Sequence, residues 1–203
     1  MPRWEHGSEE RLKQAAMELF DEQGFEDTSA VQIAARARVT TRTFFRYFPD
    51  KEEVLFADAD ALNEAMIQDL VRAEDVSEPL RAVIRTLAGF DWEKLGSREV
   101  QQRRDALIAS NAHLLERELI KQQQMAAEFS ETLGRRGIDP DTAELAANVG
   151  VQVFRTAYRR WLSGDETDLT SITETVLSLL ATIMPAASRR YPPADRSPSA
   201  RSR

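Results

Sequence analysis

The sequence predicts an all-α chain of about nine helices. Three observations carry that reading. Apolar residues recur at helical spacing, beginning with Leu12, Ala15, Ala16, Leu19 and Phe20. The runs are punctuated by helix signals: capping Ser, Thr or Asp at the starts, Pro just inside them, and Gly or Pro at the ends. Residues 28–51 read as two short helices joined by a tight turn, the plan of a helix-turn-helix DNA reader.

Residues 1–7, with Trp4 and His6, read as a flexible start. The first helix spans 8–23, with Ser8 as its cap, Gly24 as a left-handed C-terminal residue and Phe25 packing back. Ser29 caps the first reader helix, whose buried side is Val31, Ile33, Ala34 and Ala37. The turn is Arg38 and Val39, and Thr40 caps the second reader helix. There Phe44, Tyr47 and Phe48 recur at helical spacing before Pro49 ends the run.

Asp50 starts a longer helix that runs to about Arg72, striped by Val54, Leu55, Ala61, Leu62, Ala65, Met66 and Leu70. After the polar stretch 74–78, Ser77 and Pro79 start the next helix, with Phe90 and Trp92 near its end. Gly96 and Ser97 precede a helix over 98–110, Asn111 or Ala112 marks a turn, and an amphipathic helix spans 113–133. Asp139 and Pro140 start a helix through Leu162, and the last spans 169–184. Residues 185–203 carry five arginines and one aspartate among Pro, Ser and Ala, and read as a disordered tail able to add non-specific attraction to DNA. The organisation expected is a DNA-binding domain over 8–56 and a helical effector-binding and dimerisation domain over 57–184.

Composition narrows the function. With 203 residues, 42% of them hydrophobic and 30% charged, a sizeable core is expected. The absence of cysteine excludes disulfides, thiolate zinc sites and cysteine nucleophiles. No signal peptide is visible and the longest apolar stretches are too short to cross a bilayer, so a cytoplasmic protein without a membrane partner is expected. With two histidines, no nucleophile elbow, no phosphate loop and no metal-ligand spacing, neither an enzyme nor a cofactor is expected. The formal charge is −7, yet residues 28–51 hold five cations (Arg36, Arg38, Arg42, Arg46 and Lys51) against Asp50, a net of +4. A basic island in an acidic chain is the footprint of one face that meets phosphate.

The pattern of Ala16, Leu19, Phe20, Gly24, Phe25 and Thr28, then Ile33, Ala34, Ala37, Val39, Thr43, Phe44, Tyr47, Phe48, Lys51 and Leu55, resembles the DNA-binding domain of the TetR family of bacterial transcriptional regulators. The likeness covers about residues 11–56, roughly a quarter of the chain. Residues 42–48 also resemble a large actinobacterial subset that includes regulators associated with mycofactocin genes. One departure is Arg38, where the family has glycine at a left-handed turn; a side chain there costs about 1 kcal/mol.

On this reading Thr41, Arg42 and Arg46 contact bases, and Ser29, Gln32, Thr43, Phe45 and Tyr47 contact the DNA backbone. The resemblance implies a phosphate contact for Lys51. The last two long helices are apolar over more than one stripe, which predicts a homodimer through Ala143, Ala147, Gly150, Phe154, Ala157, Trp161, Ile172, Val176 and Leu180. The resemblance places an effector pocket among the middle helices. Phe90, Trp92, Arg103, Leu107, His113, Met125 and Phe129 are its candidates by location, with core packing the competing role, for an apolar or amphipathic small molecule. The expected function is a homodimeric repressor that binds a pseudo-palindromic operator in double-stranded DNA and is released by its effector. The alternative is an activator or ligand-independent regulator with the same DNA-binding mode.

Overall fold

The computed structural model describes residues 6–184. Among them are nine α-helices: α1 (His6–Gln23), α2 (Ala30–Arg36), α3 (Thr41–Tyr47), α4 (Ala59–Arg72), α5 (Pro79–Ala88), α6 (Arg98–Ser110), α7 (Ala112–Arg135), α8 (Pro140–Ser163) and α9 (Leu169–Ile183). Two 3-10 turns, Glu53–Phe56 and Trp92–Leu95, join them. The expectations for residues 1–5 and for the tail 185–203 lie outside the described residues. Gly7 and Ser8 already lie within α1, so Ser8 is not its cap.

The cap signals account for most boundaries. Ser29 and Gln32 form a reciprocal capping box at the start of α2. Asn111 accepts from the backbone of His113 and Leu114 and so divides α6 from α7. Asp139 accepts from Thr142 N ahead of Pro140 at the first turn of α8, and Asp168 caps α9. The expected single helix from Asp50 to Arg72 is instead a 3-10 turn followed by α4. The backbone stays right-handed at Glu52, Ala57 and Asp58, while the Asp50, Glu52 and Glu53 side chains are drawn onto Arg117 of α7.

There are two apolar cores. One joins α1–α3 and the first 3-10 turn around Leu12, Ile33, Phe44 and Phe56, and it is completed by Ile108 of α6 and Leu114 of α7. The other packs α4, α5, α7, α8 and α9 around Met66, Val83, Phe129, Ala147 and Trp161. Helix α8 is its axis, packed against α5, α7 and α9.

The residues expected at a dimer face pack within this core. Ala143, Ala147, Gly150, Phe154, Ala157, Trp161, Ile172 and Val176 are buried within the single chain, and Leu180 packs partly onto the same core. Small residues do admit a neighbouring helix closely, but the neighbour is α5 of the same chain. A Cβ built on Gly150 would lie 2.7 Å from Val83 Cγ1. On α8 and α9 the large apolar side chains left in solvent are Leu145, Leu179 and Ile183, with Met184 just beyond; Val31, Phe45, Val71, Leu119 and Ile120 are exposed elsewhere.

Candidate nucleic-acid interface

Helix α3 is held by one buried anchor and presents the rest of its surface. Phe44 is fully buried, meeting Phe48 at 5.7 Å between ring centroids, and Thr40 Oγ1 accepts from Thr43 N at 3.1 Å to start the helix. Arg42, Phe45 and Arg46 are exposed, and Thr41, Thr43 and Tyr47 are half-buried. Arg46 donates to the Tyr47 hydroxyl at 3.1 Å and lies over its ring. Ser29 and Gln32 are exposed at the start of α2, engaged with each other through the capping box.

The turn between α2 and α3 makes one strained position. Arg38 has φ 56°, the only positive φ at a non-glycine residue among those described. The left-handed geometry lets Arg38 N bond Ala35 O and Val39 N bond Ala34 O, closing α2. The sequence expectation for this turn therefore holds, with arginine in glycine's conformation.

The basic island is smaller in space than in sequence. Arg36 is turned back to α1, where Glu22 accepts from it at 2.6 and 2.9 Å and Glu18 at 3.3 Å. The two carboxylates raise its pKa further above the guanidinium range, and the bond from the Arg36 guanidinium holds that of Glu22 below the usual carboxylate value. The Lys51 ammonium is also occupied: it donates to Phe25 O at 2.7 Å, Thr28 O at 2.9 Å and Glu26 O at 3.3 Å, and sits over the Phe25 ring. Its three N–H groups are used in tying the α1–α2 loop to the end of α3. Arg38 and Arg42 are the cations of the island that carry no ion pair or hydrogen bond among the described residues.

Behind the reader lies a cavity of about 890 Å³. Its walls come from both cores: Lys13, Met17 and Asp21 of α1, Leu55 and Phe56 of the 3-10 turn, Leu62 and Asn63 of α4, Gln122 and Met125 of α7, and Val151, Phe154, Arg155, Tyr158 and Arg159 along one face of α8. Of the expected effector residues, Trp92, Arg103 and Met125 line it. Arg103 is paired with Asp21 at 2.8 Å. Phe90, Leu107, His113 and Phe129 are not in its walls. Phe90 packs edge-on against Trp92, Leu107 packs on the N-terminal core, His113 is exposed, and Phe129 is fully buried between helices. Of the α8 residues in the wall, the sequence reading places only Phe154 at a functional surface, a dimer face; Arg155 and Tyr158, close along the helix with Phe154, are the available signal.

Ion pairs and hydrogen bonds tie α6 and α7 to the reader side. Arg117 of α7 contacts Asp50 at 3.0 Å, Glu52 at 3.2 Å and Glu53 at 3.1 Å, and its pKa is raised chiefly by the bond to Asp50. Arg104 donates to Leu55 O at 2.7 Å and pairs with Glu118 at 3.3 Å. Asn111 donates to Glu26 at 2.9 Å.

A short capped helix with a free polar face, set on a three-helix core and backed by a cavity, defines a helix-turn-helix DNA-binding protein with room for a small molecule. The model of the bacterial regulatory proteins of the tetR family matches residues 12–57. The chain is 30% identical over 189 residues to the HTH-type transcriptional regulator TcmR of Streptomyces glaucescens, covering 87% of this chain and 82% of that one. Among solved structures it is similar to FadR of Thermus thermophilus, a TetR-family repressor in complex with lauroyl-CoA (25% identity, TM-score 0.55, 91% of this chain and 98% of that one). It is also similar to NalD, the secondary repressor of the MexAB-OprM efflux pump in Pseudomonas aeruginosa (19% identity, TM-score 0.60, 88% and 96%). The chain belongs to the TetR family: it is a DNA-binding transcriptional regulator, of a family that is not enzymatic. None of these relatives bears on the mycofactocin-associated subset.

Proposed function

We propose that the protein is a homodimeric repressor whose reader helices bind the two halves of a pseudo-palindromic operator, and which a small-molecule effector releases. The observation that carries the reading is the cavity with walls from both α8 and the reader's own α1 and 3-10 turn. A molecule that fills it presses on the reader directly. The Arg117 and Arg104 contacts then pass any movement of α6 or α7 to Asp50 and Leu55, beyond the end of α3. Thr41, Arg42 and Arg46 read bases, while Ser29, Gln32, Thr43, Phe45 and Tyr47 position the backbone. Arg38 adds a free cation at the turn.

Residues 8–56 form the DNA-binding unit and 57–184 the effector and dimer unit in this scheme. The dimer forms through the exposed face of α8 and α9, with Leu145, Leu179 and Ile183 at its centre. Two readers must then meet half-sites about 34–36 Å apart along the duplex, or a multiple of that. Effector and operator binding are reciprocally coupled: a ligand that weakens DNA binding is bound more weakly by the DNA-bound form. The FadR relative, solved with an amphipathic acyl-CoA, is consistent with an amphipathic effector here. The test is fluorescence anisotropy of a labelled operator duplex, titrated with protein and then with candidate effectors. Release at micromolar effector supports the reading; an operator complex indifferent to every molecule that binds the cavity contradicts it.

A further inference from the structure

We propose that the cavity takes an amphipathic organic anion: a flat apolar body lies on the aromatic wall and its acidic group pairs with Arg155. The inference rests on the effector reading above and names the ligand class for that site.

The wall and the polar end are built differently. Trp92 stacks on Phe154 with centroids 4.9 Å apart, and Tyr158 lies 5.1 Å from Trp92. Their polar atoms are satisfied inside the protein. Trp92 Nε1 donates to Leu87 O at 2.8 Å, and the Tyr158 hydroxyl donates to Gln101 Oε1. Gln101 is in turn fixed by bonds to Trp92 O and Gly96 O, both 2.8 Å. Burial pushes the Tyr158 phenol well above its ordinary pKa, which keeps it a donor. The wall therefore offers the cavity ring surface without free polar atoms, suited to a planar hydrophobic group.

The opposite holds at Arg155. It is half-buried and has neither an ion pair nor a hydrogen bond among the described residues. Burial and the neighbouring Arg159 lower its pKa, while Glu118 and Asp105 are the carboxylates facing it. Glu118 is already held by Arg104 at 3.3 Å and by Gln122 at 2.9 Å. Of the two carboxylates that act on Arg155, only Asp105 is uncommitted, and Arg159 lies beside it as a second cation, so an anionic ligand group would pair with Arg155. Two buried acceptors in the same walls, Asn63 Oδ1 and Gln122 Oε1, have no hydrogen-bond partner. They suit hydroxyl or N–H donors on the ligand.

The test uses three probes with one aromatic body: anthracenecarboxylate, anthracenemethanol and anthracenemethylamine, titrated by fluorescence into the full-length chain. The carboxylate is expected to bind about tenfold tighter than the alcohol, as a charge-assisted bond in a partly dry site requires, with the amine weakest. Arg155→Met should abolish the preference for the anion. Arg160→Met, an equal charge loss at an exposed position outside the cavity, should keep it. The inference is overturned if the alcohol or the amine binds wild type as tightly as the carboxylate, if no probe binds, or if Arg155→Met keeps the preference. The wild-type comparison stands by itself should Arg155→Met not fold. Operator binding is followed in the same titrations. A carboxylate that binds through Arg155 but leaves the operator complex intact supports the ligand class and refutes effector release.

Discussion

Replacing Lys51 with alanine separates two roles that lysine could play at this position. In the structure its ammonium closes three carbonyls of the α1–α2 loop, at 2.7, 2.9 and 3.3 Å, and covers the Phe25 ring at 4.3 Å. A hydrogen bond to a charged group contributes about 1.5–3 kcal/mol, and the cation–π contact about 0.5–1 kcal/mol. Water can replace the ammonium at the exposed Glu26 carbonyl and in part at the half-buried Phe25 and Thr28 carbonyls, so Lys51→Ala should destabilise the fold by roughly 3 kcal/mol. For a chain of this size that is a fall in melting temperature of roughly 6–12 °C. Operator affinity should drop through a loosened reader. The slope of log K against log[salt] should stay as in wild type, because no phosphate contact is removed. A phosphate-binding lysine would instead lower the slope by about 0.9 with little effect on melting. Calorimetry and a salt series on operator binding measure both. A variant that melts with wild type while its salt slope falls by about one would refute the assignment of Lys51 to the loop.

Arg42→Ala should cost about 1–3 kcal/mol of operator binding and relax specificity at one position of each half-site, read by competition with single-base variants. Arg38→Gly should relieve the positive φ and raise the melting temperature by roughly 2–4 °C, for about 1 kcal/mol, while weakening binding at low salt through loss of a free cation. Gly150→Ala should destabilise by about 1–3 kcal/mol in thermal unfolding, since its Cβ meets Val83 at 2.7 Å. The pair Leu145→Glu and Ile183→Glu, both on the exposed α8–α9 face, should halve the mass measured by light scattering, whereas an unchanged dimer would move the interface elsewhere.

Local signals made the helices legible. Asn111, Asp139 with Pro140, and Asp168 each mark a boundary by a bond to the adjacent backbone, so the sequence carries them without knowledge of the fold. The reader was legible for the same reason: Ser29, Thr40, Phe44 and the Arg38 turn act within a few residues of themselves. What was not legible depends on distant partners. Lys51 meets carbonyls 23–26 residues away, and Arg36 meets carboxylates 14 and 18 residues away, so neither commitment has a pattern in the sequence. The carboxylates at the 3-10 turn meet Arg117, over sixty residues further on. The small residues of α8 signalled a close helix correctly, but spacing alone does not say whether that helix belongs to the same chain. The cavity draws walls from α1, α4, α6, α7, α8 and both 3-10 turns, so location in the middle helices points to Trp92, Arg103 and Met125 but not to Arg155 and Tyr158.

In the proposed function α3 reads sequence from a dimer. Selection of bound duplexes from a random DNA pool at near-physiological salt, followed by sequencing, tests it most directly. An enriched pseudo-palindrome is expected, with Arg42→Ala losing the preference at one symmetry-related pair of positions. Binding that enriches no sequence and vanishes as salt rises would contradict it.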